Sequence, residues 1–210
     1  MNLDVSVKSP RKRIFYKRVF YGWWVILASS IIASMGAGVY FYGFTTFFLP
    51  ISKELDLTRA STSLVFGAAR VEGMIEGPIV GWLIDRYGAR GLIVIGLLIF
   101  GAGYILMYWM NSLLMFFILY ALVIAVGYQT GTVHTTFALT AKWFIRQRAK
   151  AAGIVSAAFG IGGATIVPVL GWIIIQYGWR PAVVIAGVAT LIVGLPLTLV
   201  IRSTPESKGL

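Results

Sequence analysis

The chain has 210 residues, of which 59% are hydrophobic and only 12% charged, and its mean hydropathy is +0.86. A soluble domain carries about a quarter charged residues, so lipid must solvate the excess apolar surface. The net charge of +11 does not gather on one basic face, because Lys and Arg fall between apolar runs, so no nucleic-acid partner is expected; with no cysteine, disulfides, thiolate metal sites and Cys nucleophiles are excluded.

Residues 1–19 are polar and basic and read as a cytoplasmic tail, whose last part, with Phe15, Tyr16, Lys17 and Arg18, suits a membrane surface. No small-residue cleavage site follows, so the first helix is expected to stay in place. A bilayer core takes about 20 apolar residues per helix. Six segments meet that length, roughly Gly22–Phe48, Ser61–Ile84, Gly91–Trp109, Leu113–Leu139, Ala151–Ile175 and Pro181–Ile201. The prediction is an all-α membrane protein with a transmembrane bundle over 20–202, followed at 203–210 by the start of a central cytoplasmic loop.

Basic residues set the orientation. One side receives Lys8, Arg11, Lys12, Arg13, Lys17, Arg18, Arg86, Arg90, Lys142, Arg146, Arg148, Lys150, Arg202 and Lys208, and the other only Lys53, Arg59 and Arg180. Both termini are therefore expected in the cytoplasm, at the plasma membrane (the inner membrane of a bacterial cell). Tyr21, Trp23, Trp24, Trp82, Tyr108, Trp109, Trp143, Trp172 and Trp179 mark the segment ends, as interfacial aromatics do.

The stretch from Pro78 through Gly81, Trp82, Tyr87 and Gly88 to Arg90 recurs as Pro168, Gly171, Trp172, Tyr177, Gly178 and Arg180, at one offset (171 − 81 = 90), and Gly73 pairs with Gly163. The first copy joins helices two and three inside, the second joins helices five and six outside. Two inverted three-helix repeats follow, about 20–110 and 111–202.

Helix two carries Arg70, Glu72 and Glu76 near its middle, where each charge costs roughly 2.5–3.5 kcal/mol and must face the bundle or water. Glu72 and Glu76 share a face, and Arg70 points roughly 120–160° away at 100° per residue. The two glutamates either carry protons or form a buried charge network. Ala69, Gly73, Gly77 and Gly81 form a small-residue stripe that predicts close helix packing, as do Gly153, Ala157, Gly160, Ile161 and Gly163 on helix five. His134, the only histidine, lies near Gln129, Thr130, Thr132 and Thr135, and either titrates in proton coupling or makes a structural hydrogen bond. Tyr40 and Tyr42 either line a cavity or pack against Gly36, Gly38 and Gly43. No P-loop, nucleophile elbow or zinc helix motif is present, so neither enzymatic chemistry nor a cofactor is expected, and no second His or carboxylate at ligand spacing suggests a metal.

The chain resembles the N-terminal half of a major facilitator superfamily transporter. The family's loop between helices two and three follows G-x-L-A-D-R-x-G-R-R, which Gly81, Leu83, Asp85, Arg86, Gly88 and Arg90 match and from which Ile84 and Ala89 depart. Tyr21-Gly22-Trp23-Trp24 with Gly38 to Pro50, and Lys142-Trp143-Phe144 with Arg146, Arg148, Ala149, Ala152 and Gly153, are similar to the oxalate/formate antiporter and monocarboxylate transporter branch. The resemblance implies alternating-access transport of a small organic anion, a monocarboxylate or dicarboxylate, driven by a coupling ion or counter-substrate. It implies Arg70 as the substrate's cation, with Tyr40, Gln129 and His134 beside it, Glu72, Glu76 and His134 as the coupling or charge network, and Gly81, Asp85, Arg86, Gly88 and Arg90 as a gating motif. It also implies a second six-helix half as partner, since the complete family fold has two. A transporter of a neutral or cationic solute, or a truncated or non-transporting six-helix assembly partner, are the alternatives.

Overall fold

The computed structural model describes residues 21–203, so the basic tail and most of the expected central loop lie outside the described residues. Within them the chain is all-α: α1 Gly22–Glu54, α2 Arg59–Tyr87, α3 Ala89–Trp109, α4 Leu113–Trp143, α5 Arg148–Tyr177 and α6 Trp179–Leu197. Five of these are long and apolar enough to cross a membrane; α2 is the exception, because Arg70, Glu72 and Glu76 interrupt it. α1 runs six residues past its expected end, through Pro50, and at 33 residues is about 50 Å long. α6 ends earlier than expected, at Leu197 just after Pro196, and turns follow.

The inverted repeat is visible in the backbone. α2 ends at Gly88, with φ +82° and its N–H bonded to the Ile84 carbonyl at 3.0 Å. α5 ends at Gly178, with φ +87° and its N–H bonded to Ile174 at 2.9 Å. Only glycine takes this left-handed conformation without strain. In α3 the side buried in the protein comprises Ala89, Leu92, Ile93, Gly96, Leu97 and Phe100; in α6 it comprises Trp179, Ala182, Val183, Ala186, Gly187 and Thr190, the same positions ninety residues on. Gly88 lies at the bundle end that holds Asp85 and Gly178 at the opposite end, so the repeats run in opposite directions across the membrane.

α3 and α6 pack along each other, α1 packs on α5, and α4 packs on α2. The α1/α5 crossing is tight at Gly38 and Gly162: a methyl carbon on Gly38 would lie 2.6 Å from the Gly162 carbonyl oxygen. Gly96 of α3 and Gly127 and Gly131 of α4 make a similar approach. The expected stripe of α2 works differently. Gly73 seats the Gln129 side chain and Gly77 faces the His134 ring, so these two admit side chains of α4 rather than its backbone, while Gly81 faces open space. On α5 the close contact is made by Gly162, while Gly153 and Gly160 face open space and Gly163 meets the Tyr42 ring.

Three stretches are π-helical, Ala37–Tyr42 in α1 and Phe117–Ile124 and Gln129–His134 in α4. Such wide turns displace carbonyls from the ordinary ladder, and a membrane interior requires that they be satisfied. Tyr104 of α3 donates to the Val39 carbonyl and Tyr120 of α4 to the Tyr40 carbonyl, both at 3.0 Å. The aromatic core around them, with Phe44, Phe47, Phe100 and Phe116, fills the Glu54 half of the bundle. A second core, with Val25, Ile26, Ile93, Leu139 and Trp143, fills the Asp85 half.

Candidate functional site

A cavity of about 350 Å³ opens between α1, α2, α4 and α5. Phe41 and Tyr42 enter it from the π-helical stretch of α1, and Gln129 and Val133 from that of α4, with Tyr128 just before it. Phe137 of α4 and Ser156 and Phe159 of α5 complete an aromatic wall around Arg70. The Arg70 guanidinium carbon lies 3.8 Å from the Phe41 ring centre and 4.7 Å from that of Phe66, one helical turn earlier on α2. Among the described residues Arg70 makes no ion pair. A cation over two ring faces is stabilised by their quadrupoles while its N–H donors stay available to an anion.

The structure divides the sequence-predicted residues. Arg70 and Gln129 line this cavity. Tyr40 does not: it is 2% exposed, with its ring 4.9 Å from that of Tyr120 and 4.5 Å from that of Tyr128, and it belongs to the core. Tyr42 and Tyr128 take the lining positions instead. His134 also lies outside the lining, with Nε2 3.3 Å from the Gly73 carbonyl oxygen, where it holds α4 against α2. Glu72 and Glu76 face a different groove, between α2 and α4, as their angle to Arg70 requires. Thr130 donates its hydroxyl to Glu76 Oε1.

The charged motif sits where α2 turns into α3. Asp85 Oδ1 accepts from Lys142 Nζ at 2.8 Å, joining the last turn of α2 to the last turn of α4. Arg86 lies over Trp82 and Tyr87, 5.4 and 5.6 Å from the ring centres. Gly88 makes the turn, the Arg90 N–H donates to Ser203 Oγ at 3.3 Å, and Gly81 faces open space. Trp143 Nε1 to the Arg202 carbonyl, 2.9 Å, and Tyr21 Oη to the Val200 carbonyl, 2.8 Å, tie the same end together.

A second clamp closes the opposite end, and sequence reasoning missed it. Arg180 Nε donates to Glu54 Oε1 at 2.8 Å, its other nitrogens reach the Tyr108 and Met110 carbonyls, and Trp179 Nε1 donates to Glu54 Oε2. The pairing of Arg90 with Arg180 in the repeat was the available signal, since both follow the glycine turn.

Comparison with known proteins places the fold in a family. The Major Facilitator Superfamily model matches residues 26–210. The oxalate:formate antiporter of Oxalobacter formigenes is 25% identical over 188 residues, covering 89% of this chain and 44% of that protein. Monocarboxylate transporter 2 of Mus musculus is 24% identical over 167 residues, covering 79% and 34%. A crystal structure of a bacterial homolog of the human lysosomal transporter Spinster, inward-facing and unoccupied, superposes with a TM-score of 0.73 at 20% identity, covering 88% of this chain and 44% of that one. The chain spans less than half the length of these relatives. With six helices in two inverted repeats and a family match over most of its length, the chain belongs to the major facilitator superfamily.

Proposed function

We propose that this chain is the N-terminal half of a secondary active transporter that carries a small organic anion across the plasma membrane by alternating access. The carrying observation is Arg70, a cation held over Phe41 and Phe66 at the edge of a cavity, with no carboxylate among the described residues paired to it. A charge so placed in a membrane protein is costly unless a ligand uses it. Gln129 and Ser156 supply further polar groups, and the aromatic walls suit a small apolar body behind the anionic group. The names of the oxalate:formate antiporter and monocarboxylate transporter 2 point the same way.

In this reading the Asp85 end is cytoplasmic, because Arg86, Arg90, Lys142, Arg146, Arg148 and Lys150 gather there. The Asp85–Lys142 pair belongs to the gate on that side, and the second six-helix half completes the cavity. The test is uptake of radiolabelled formate, oxalate and lactate by the complete transporter in vesicles, with and without Arg70→Ala. Loss of uptake in the variant is expected; uptake with unchanged affinity would overturn the assignment.

A further inference from the structure

The α2/α4 contact is where the two repeats stop matching. In α1 and α5, Gly38 closes against Gly162 and Ile166. Ninety residues away, the equivalent positions are Tyr128 of α4 for Gly38, and Glu72 and Glu76 of α2 for Gly162 and Ile166. The glycine packing that seals the first crossing is absent from the second. A groove of about 540 Å³ lies there, with Glu72, Ile75, Glu76 and Ile79 on one wall and Leu122 and Val126 on the other.

Two acids in this groove each keep one carboxyl oxygen without a donor. Glu76 is 7% exposed and gives Oε1 to Thr130, yet its Oε2 and the Oε2 of Glu72 are buried without a hydrogen-bond partner. The two carboxyl groups lie one turn apart, within hydrogen-bonding reach of each other. Among the described residues no cation pairs with either acid. Arg70 of α2 is turned onto Phe41 and Phe66, and His134 of α4 is engaged by Gly73. Tyr40 of α1 lies in electrostatic range of both acids, and Tyr104 of α3 is spent on Val39. Two adjacent ionised carboxylates walled by apolar side chains would carry both a desolvation cost and mutual repulsion.

We infer that Glu72 and Glu76 hold one proton between them and form a proton site in the α2/α4 groove, separate from the Arg70 cavity. The proton bonds to Oε2 of one carboxyl and hydrogen-bonds to Oε2 of the other, and on release it returns to water, leaving a second negative charge. As the coupling-ion site of a transporter this rests on the proposed function; as a proton site it does not. Thr130 links the two sites, since it bonds Glu76 and adjoins Gln129 of the cavity wall. The Thr130 carbonyl in turn accepts from Thr135 across the π-helical stretch, so a change at Glu76 acts on the backbone that carries Gln129.

Infrared difference spectra of the protein in lipid vesicles, between acidic and alkaline buffer without substrate, test this. The expected result is a protonated-carboxyl C=O band that shifts in D₂O and is lost or displaced in both Glu72→Gln and Glu76→Gln. Thr130→Val, which leaves both acids in place, is expected to displace the band without removing it. A band unchanged in both Gln variants would overturn the inference. So would a band that responds to Na⁺ at constant pH, which would make the groove a metal-ion site. The measurement uses no substrate, so its failure leaves the anion reading of Arg70 standing, and failure of the Arg70 uptake test leaves this proton site standing.

Discussion

The Lys142 ammonium lies 2.8 Å from the Asp85 carboxylate and joins the first repeat to the second at the end where the positive charge of the chain gathers. Asp85 has no acidic counterpart at Ile175, and the α5 turn forms without it, so the pair does not serve to build the turn. The Asp85 carboxylate is 75% exposed, although Lys142 is only 35% exposed, and water around the pair limits its contribution to stability to about 0.5 kcal/mol. A contribution of that size still shifts an equilibrium between two conformations of similar energy.

Asp85→Asn and Lys142→Gln are therefore expected to leave thermal unfolding nearly unchanged and to change which side of the complete transporter is accessible. Cysteine labelling of the cavity from each side measures this. The charge-reversed double variant, Asp85→Lys with Lys142→Asp, is expected to restore the original labelling pattern. Identical labelling in all variants would remove the gating role.

Arg70→Lys separates charge from shape. Lysine keeps the cation but loses the planar face that lies on Phe41 and Phe66, along with the paired N–H donors. Affinity for a carboxylate substrate is expected to fall about tenfold, corresponding to about 1.4 kcal/mol, and further in Arg70→Ala. The concentration dependence of uptake decides, since equal affinity in Arg70→Lys would mean that charge alone suffices.

At the α1/α5 crossing, Gly162→Val would drive a side chain into the Ser34 backbone. Overpacking of this kind costs about 1–3 kcal/mol. Gly153→Ala, where a methyl group meets open space, is expected to stay within about 0.5 kcal/mol of the parent. Thermal unfolding in mild detergent compares the two.

Arg180→Ala removes the bonds to Glu54 and to the Tyr108 and Met110 carbonyls together. Because Glu54 is 45% exposed and water can reach the freed acceptors, the loss is expected to cost about 0.5–1 kcal/mol, with Arg180→Lys recovering only part because one ammonium cannot span all three. The same unfolding measurement reads this difference.

The helices and the repeat were legible because each depends on local chemistry: apolar length for the spans, and a glycine that must take positive φ at 88 and again at 178. The separation of Arg70 from Glu72 and Glu76 was legible too, since helical geometry alone fixes it. What one helix cannot reveal is its neighbour's side chain. The placing of Phe41 against Arg70, Thr130 against Glu76 and Lys142 against Asp85 depends on how helices cross, and no spacing in the sequence encodes it. Tyr40 misled for the same reason. It is adjacent to cavity-lining Phe41, yet the turn points it into the core and gives the lining position to Tyr42.

That turn has a further consequence. A π-helical insertion uses one residue more than an α-helix, so everything beyond it is rotated by about 100° relative to an uninterrupted helix. Glu54 lies beyond Ala37–Tyr42 and meets Arg180 only with this extra residue counted in. Tyr104 and Tyr120 hold the Val39 and Tyr40 carbonyls from one helix of each repeat, acting as two locks on the count. Deleting a single residue there would not shorten a loop; it would put α1 out of frame with the rest of the bundle, and the clamp at its far end would open.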